Sequence, residues 1–105
     1  MAWVTEGILS NPGVGALLAD SGRMFGGRYR IMVVAWADAG VDIVLQQRDP
    51  ANAISALSQV LSLRGLELYL DLRAFPIPVP PGERLRLVTR SSLVGQVQAS
   101  LFWEP

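Results

Sequence analysis

The sequence contains no cysteine and no histidine. Disulfides, thiolate or imidazole metal ligands, thiol nucleophiles and every histidine-based catalytic triad are excluded with them. A chain without cysteine is indifferent to redox compartment, so none is implied. Lysine is missing too, and all nine basic residues are arginine. A GC-rich coding genome accounts for that, as does the suitability of arginine for interface ion pairs. No long apolar run is present: the longest, Ile31 to Ala37, is far too short to span a bilayer. Met1 to Glu6 lacks the basic start and apolar core of a signal peptide. The expectation is a soluble protein that meets no membrane.

Charge is scarce as well. Only 17% of residues are charged, the net charge is zero, and half of the residues are hydrophobic. A disordered chain has the opposite balance. Zero net charge favours association over free monomers, and the lack of positive excess argues against nucleic acid as a partner. At 105 residues the chain has material for one core and not for two.

What is present is alternation. Side chains two apart share one face of a strand. From Gly65 to Trp103, Leu66, Leu68, Leu70 and Leu72 alternate with Glu67, Tyr69, Asp71 and Arg73. A proline-rich crossing follows, then alternating runs over Arg84–Arg90 and Gly95–Glu104. The four leucines read as one wall of a β core. After Arg73 the apolar parity switches to Phe75, Ile77 and Val79, which one extra residue near Arg73–Ala74 would produce, as a bulge or as a corner where the strand leaves one sheet for another. Pro76, Pro78 and Pro80 strip the amide donors from one side of that segment and place it at a sheet edge or between sheets. Pro81-Gly82-Glu83 turns the chain, so that Leu85 and Leu87 face Val79 and Ile77. The last strand points Val97, Ala99, Leu101 and Trp103 inward, with Gln96, Gln98, Ser100 and Glu104 outward.

In the first half, residues 1–12 form an N-terminal arm or a first strand, ended by the turn Asn11-Pro12-Gly13. Residues 13–105 form a single β-sandwich domain. Val14 to Ala19 is a short strand, and Arg28 to Ala37 is the strongest one. Asp38-Ala39-Gly40 reads as a hairpin loop, which pairs Ala37 with Val41, Ala35 with Ile43 and Val33 with Leu45. Tyr29, Ile31, Val33 and Ala35 then share the core side with Val41, Ile43 and Leu45. The reverse side carries Met32, Val34 and Trp36, opposite Val44 and Gln46, where a solvent face should be polar. Arg48-Asp49-Pro50-Ala51-Asn52 is a turn. Ala53 to Leu63 fits a helical face or a strand, and its β surroundings favour the strand. The pattern predicts an all-β, antiparallel β-sandwich or jelly-roll-like fold of about seven or eight short strands.

Chemistry is thinly written. Gly13-Val14-Gly15 lacks the third glycine, the lysine and the βαβ setting of a phosphate loop. Asp38 and Asp42 flank a turn without further calcium ligands at loop spacing. Glu67 and Asp71 share one strand face, as a glycosidase pair would, but solvation of that face or pairing with Arg84, Arg86 or Arg90 is the better reading. Ser91-Ser92 has no identifiable base. No catalytic, cofactor or metal role is assigned, and the chain is not read as an enzyme. Arg84, Arg86 and Arg90 form one basic row, and Arg23, Arg28 and Arg30 a second cluster. Neither has the interleaved aromatics of a nucleic-acid platform, so cross-strand or intersubunit salt bridges are expected. Trp3 and Trp36 leave open a sugar-stacking surface.

Three stretches, Arg48-Asp49-Pro50-Ala51-Asn52, Pro81-Gly82-Glu83-Arg84-Leu85-Arg86-Leu87-Val88 and Gly95-Gln96-Val97-Gln98-Ala99-Ser100-Leu101-Phe102-Trp103, carry a resemblance over roughly the last two-thirds of the chain. Together they resemble the small β-sandwich capsid decoration (cement) proteins of tailed bacteriophages. The resemblance implies a jelly-roll-like subunit, trimeric, made in the host cytoplasm and seated on the capsid exterior of the virion, where it strengthens the shell by binding the major capsid protein. The candidate contact residues are Trp3, Met32, Val34, Trp36, Val44, Arg84 and Arg86. A carbohydrate-binding module on a fibre or tail, or a tail or neck adaptor, is the alternative.

Overall fold

The computed structural model describes residues 2–57, 60–64 and 68–105. They form strands β1 (Trp3–Ser10), β2 (Leu17–Asp20), β3 (Gly27–Ala37), β4 (Gly40–Arg48), β5 (Ile54–Leu57), β6 (Leu61–Arg64), β7 (Leu68–Asp71), β8 (Ile77–Val79), β9 (Arg84–Thr89) and β10 (Gln96–Glu104). All described pairings are antiparallel. In one sheet the order is β1-β10-β3, with β7 and β8 end to end along the far edge of β3. In the other it is β2-β9-β4, with β5 and β6 end to end along the far edge of β4. Counting each end-to-end pair as one interrupted strand, the chain changes sheet at every connection except β4 to β5. That connectivity is the jelly roll.

The inward alternation holds throughout. Ile31, Val33, Ile43, Leu87, Val97 and Leu101 are fully enclosed between the sheets. Each contributes about 1.5–3 kcal/mol of hydrophobic stabilisation. The core wall is therefore β3 and β10 facing β4 and β9. The leucine run is an edge instead: Leu70 and Leu72 are only partly buried against the core, and Leu66 and Glu67 lie outside the described residues. In the segment from Ala53 to Leu63, β5 and the start of β6 are strands as expected, with Ser58 and Gln59 outside the described residues.

The expected hairpin at residues 38–40 is a corner between sheets, and so is the turn at residues 81–83. β3 and β4 do not pair; β3 pairs with β10, β7 and β8, while β4 pairs with β9, β5 and β6. At the Asp38–Ala39 connection the chain leaves one sheet for the other, so Ala35 and Ile43 face the same core from opposite walls. Parity reports which side is apolar and is identical for a hairpin and for a corner. The same holds for Val79 and Leu85, which belong to different sheets. The first corner is fastened by the Asp38 amide donating to the Gln96 carbonyl (2.9 Å) and the Gln96 amide donating to Asp38 Oδ2 (2.8 Å). The second is fastened to Met24, whose amide donates to the Glu83 carbonyl and whose carbonyl accepts from Gly82, each at 2.9 Å.

The parity switch after Arg73 has a countable cause. Met32 pairs with Asp71 and Tyr29 with Ile77, so three steps along β3 match six along its partner. Three extra residues are looped out, where a single one was expected; both numbers are odd and so have the same effect on parity. An odd insertion exchanges the two faces, which moves the apolar side from Leu70 and Leu72 to Ile77 and Val79. Pro78 then pairs with Arg28 at the sheet edge, where a missing amide donor costs nothing.

On the opposite flank the sheets pinch together. Gly7 of β1 lies directly against the Leu18 carbonyl of β2, and a methyl group on Gly7 would overlap that oxygen. Because the obstacle is backbone, it has no rotamer to escape into. Gly7→Ala is expected to destabilise the protein by about 1–3 kcal/mol, the usual cost of overpacking. The check is a urea unfolding curve, where an unchanged midpoint would refute the pinch.

Candidate functional site

Pleating that sends Ile31, Val33 and Ala35 inward sends Met32, Val34 and Trp36 to the outer face of the β1-β10-β3 sheet. The register sets their neighbours. Met32 lies beside Phe102, and Phe102 beside Val4; Val34 lies beside Ser100, and Ser100 beside Glu6. Trp36 lies beside Gln98, and Gln98 beside Ile8, with the Trp36 indole N–H donating to Gln98 Oε1 at 2.9 Å. Met32, Val34, Trp36 and Phe102 are half-buried, while Val4 and Ile8 are 51% and 56% exposed. The result is an apolar band across three strands, interrupted by Gln98, Ser100 and Glu6. Among the described residues no further strand layer covers it.

One end of the band is charged. Glu104 pairs in register with Arg30, and Arg73 forks onto Asp71 through Nε (2.9 Å) and a second nitrogen (2.8 Å). Donation from the Arg73 side chain, and then from its backbone amide, lowers the Asp71 pKa from 3.8 to about 2. Arg30, Asp71, Arg73, Ala74 and Glu104 line an open recess there.

The other candidate residues lie elsewhere. Val44 is in the opposite sheet, 1% exposed on its outer side, next to Val88 and through it Leu17. It therefore does not face Trp36, and the expectation that it does falls with the β3–β4 hairpin. Arg84 and Arg86 are on that same opposite sheet, where both approach Asp20 Oδ2 at 3.4 Å. These are cross-strand salt bridges, one of the two kinds expected of the basic row, but their acceptor is Asp20 and not Asp71, which pairs with Arg73. Trp3 is at the rim of the inner side. Its ring stacks on Trp103 with centroids 6.3 Å apart and planes at 18°, beside a recess of about 140 Å³ also lined by Met24, Phe25 and Tyr29.

Sequence reasoning passed over Phe102, Val4 and Ile8. The signal for Phe102 was in the alternation, since it falls between the outward Ser100 and Glu104. It also missed an apolar cleft of about 340 Å³ at the open flank, between Leu45 and Leu85 of one sheet and Leu72, Ile77 and Pro78 of the other. At its lip Gln47 Nε2 and Ser55 Oγ donate to Glu83 Oε1, at 2.8 and 2.9 Å. Glu83 is 8% exposed, and these donors supply what its burial requires.

The acids considered for chemistry have structural occupations. Asp38 accepts from Gln96, and Asp42 Oδ1 accepts from the Ser62 hydroxyl at 2.8 Å. Ser91 Oγ accepts from the Asp42 amide at 2.9 Å. Among the described residues no three acids converge in a way that would hold a metal ion. Compared with known protein families and with curated proteins, the chain matches none.

Because Asp71 titrates lower in the folded chain than in the unfolded one, its ion pair contributes fully above 3.8 and is lost as the pH falls through about 2. The pair is exposed, so its effect on stability is slight and the useful readout is direct. A carboxyl NMR titration is expected to find the Asp71 midpoint near 2, rising toward 3.8 in Arg73→Leu. Equal midpoints in the two proteins would remove Arg73 as the cause.

Proposed function

We propose that this chain is a structural virion protein that binds and stabilises a phage capsid shell from the outside, with the major capsid protein as its partner. The observation that carries the reading is the apolar band of Val4, Ile8, Met32, Val34, Trp36 and Phe102 on one rigid sheet face. Apolar residues clustered on one face of a small domain mark an interaction site more often than scattered exposure does. Its arrangement, an apolar centre with the charges of Arg30, Asp71, Arg73 and Glu104 at one end, is the anatomy of a protein–protein contact. The resemblance of the strand-and-turn runs to decoration proteins supplies the capsid as the partner.

The glycan reading has lost part of its motivation. Trp3 spends one ring face on Trp103, and Trp36 is half-buried with its N–H bound to Gln98. Less flat aromatic surface is left for a sugar than two free tryptophans would offer.

Trp36→Asp places a charge at the end of the band remote from Arg30 and Glu104 without touching the core. Truncating an interface anchor commonly costs 2 kcal/mol or more, so the variant is expected to bind purified capsids at least about 30-fold more weakly. Its far-UV circular dichroism should match the parent. Wild-type affinity for capsids in this variant, or tryptophan quenching by glycans with no capsid binding by the parent, would refute the proposal.

A further inference from the structure

Among the described residues the two sheets have four outer edges, and three are blunted. The β7–β8 edge is broken by the three-residue insertion and carries Pro76, Pro78 and Pro80 around it. The β5–β6 edge is shifted by one residue between the Gln46–Leu57 and Ile43–Leu61 pairs, and again at Gln47–Arg48. β2 is four residues long with an irregular register at Leu17–Ala19. Bulges, prolines and short strands are the devices by which sheets avoid edge-to-edge pairing.

β1 has none of them. Its eight residues pair with β10 in unbroken register, and among the described residues no strand pairs with its other side. It contains no proline, lysine or arginine, and Glu6 is its one charge. An unpaired ladder of backbone donors and acceptors is satisfied best by another strand. On the inner side of β1, Gly7 lies against the Leu18 carbonyl of β2.

We infer that the β1 edge is a homodimer interface, at which β1 of one copy pairs antiparallel with β1 of a second. The occupant follows from the other edges. Since those are blunted, the only regular edge a second copy has to offer among the described residues is its own β1, and equal edges meeting form a two-fold pair. That differs from the three-fold assembly implied by the resemblance. Zero net charge means that two copies do not repel as wholes. The register that places Ile8 on the axis is self-complementary. It sets Ile8 against Ile8 of the second copy, the Glu6 carboxylate against the Ser10 hydroxyl, and the bare Gly7 against Leu9. A register centred on Glu6 would oppose two carboxylates, which is unfavourable. The pairing extends the sheet across the axis and brings the two apolar bands onto one continuous face.

The absence of native cysteine makes the test clean. Residues directly opposite across an antiparallel pair have Cα atoms within disulfide range. Ile8→Cys, at an exposed position, is expected to form a covalent dimer under mild oxidation. Glu6→Cys should link to Ser10→Cys when the two are mixed, but not to itself. Trp36→Cys, in the middle of the sheet face, should stay unlinked. Sedimentation should show the parent as a dimer and Ile8→Lys as a monomer with unchanged circular dichroism. A monomeric parent, linking at position 36 without linking at 8, or self-linking of Glu6→Cys in preference to Ile8→Cys would overturn the inference. The capsid proposal is tested separately by the Trp36→Asp binding measurement, which can fail while the dimer stands.

Discussion

β3 and β4 face each other across the core, and the rest of the fold is arranged around that fact. The two strands are consecutive, both are long, and both are apolar on one side. A connection of two residues gives them only two arrangements, side by side or face to face. The corner at Asp38 and Ala39 selects the second, held by the paired bonds between Asp38 and Gln96. Once β3 and β4 occupy opposite walls, each has two free edges. β10 and the β7–β8 pair fill those of β3, while β9 and the β5–β6 pair fill those of β4. The outer apolar band is a by-product of the same choice, because the reverse side of β3 is left with β10 and β1 beside it instead of β4.

How far the sequence reaches follows from what alternation measures. Inward residues were legible: Ile31, Val33, Ile43, Leu87 and Leu101 are all fully buried. So was the parity break at Arg73–Ala74, because an odd insertion leaves a visible mark. Pairing partners were not legible, since a hairpin and a corner impose the same parity. That ambiguity put Val44 opposite Trp36 when the two lie in different sheets. It also hid Asp20, which meets Arg84 and Arg86 from a strand far away in sequence. At the candidate site, Met32, Val34 and Trp36 could be placed outward from the sequence alone. Phe102 was equally readable, and Val4 and Ile8 became visible only through the β1–β10 register.

Among the described residues two of the three buried polar side chains, Thr89 and Glu83, sit where the chain changes sheet, while the third, Gln46, lies within β4 and accepts from Arg48. Thr89, 1% exposed, donates to the Gly13 carbonyl at 2.6 Å and accepts from the Ala16 amide at 2.9 Å, tying the loop after β1 to the end of β9. Glu83 ties the corner before β9 to β4 and β5 through Gln47 and Ser55. Corners expose backbone groups that a ladder would otherwise satisfy, and burying them unpaired is expensive. A side chain that both donates and accepts resolves this with one residue. The walls can then remain almost wholly aliphatic.

Trp3 and Trp103 are register partners, so the first and last strands run side by side with their ends together. This geometry has a mechanical meaning. Tension applied to the chain at those two residues does not shear the sheet, which would load all eight pairs at once. It opens β1 from β10 like a zipper, one pair at a time, beginning at the stacked indoles. The protein is therefore expected to be soft to a pull along its own chain and stiff to loads that arrive through its faces. If it works as a shell component, the loads it resists best are those borne by its surfaces and not by its ends.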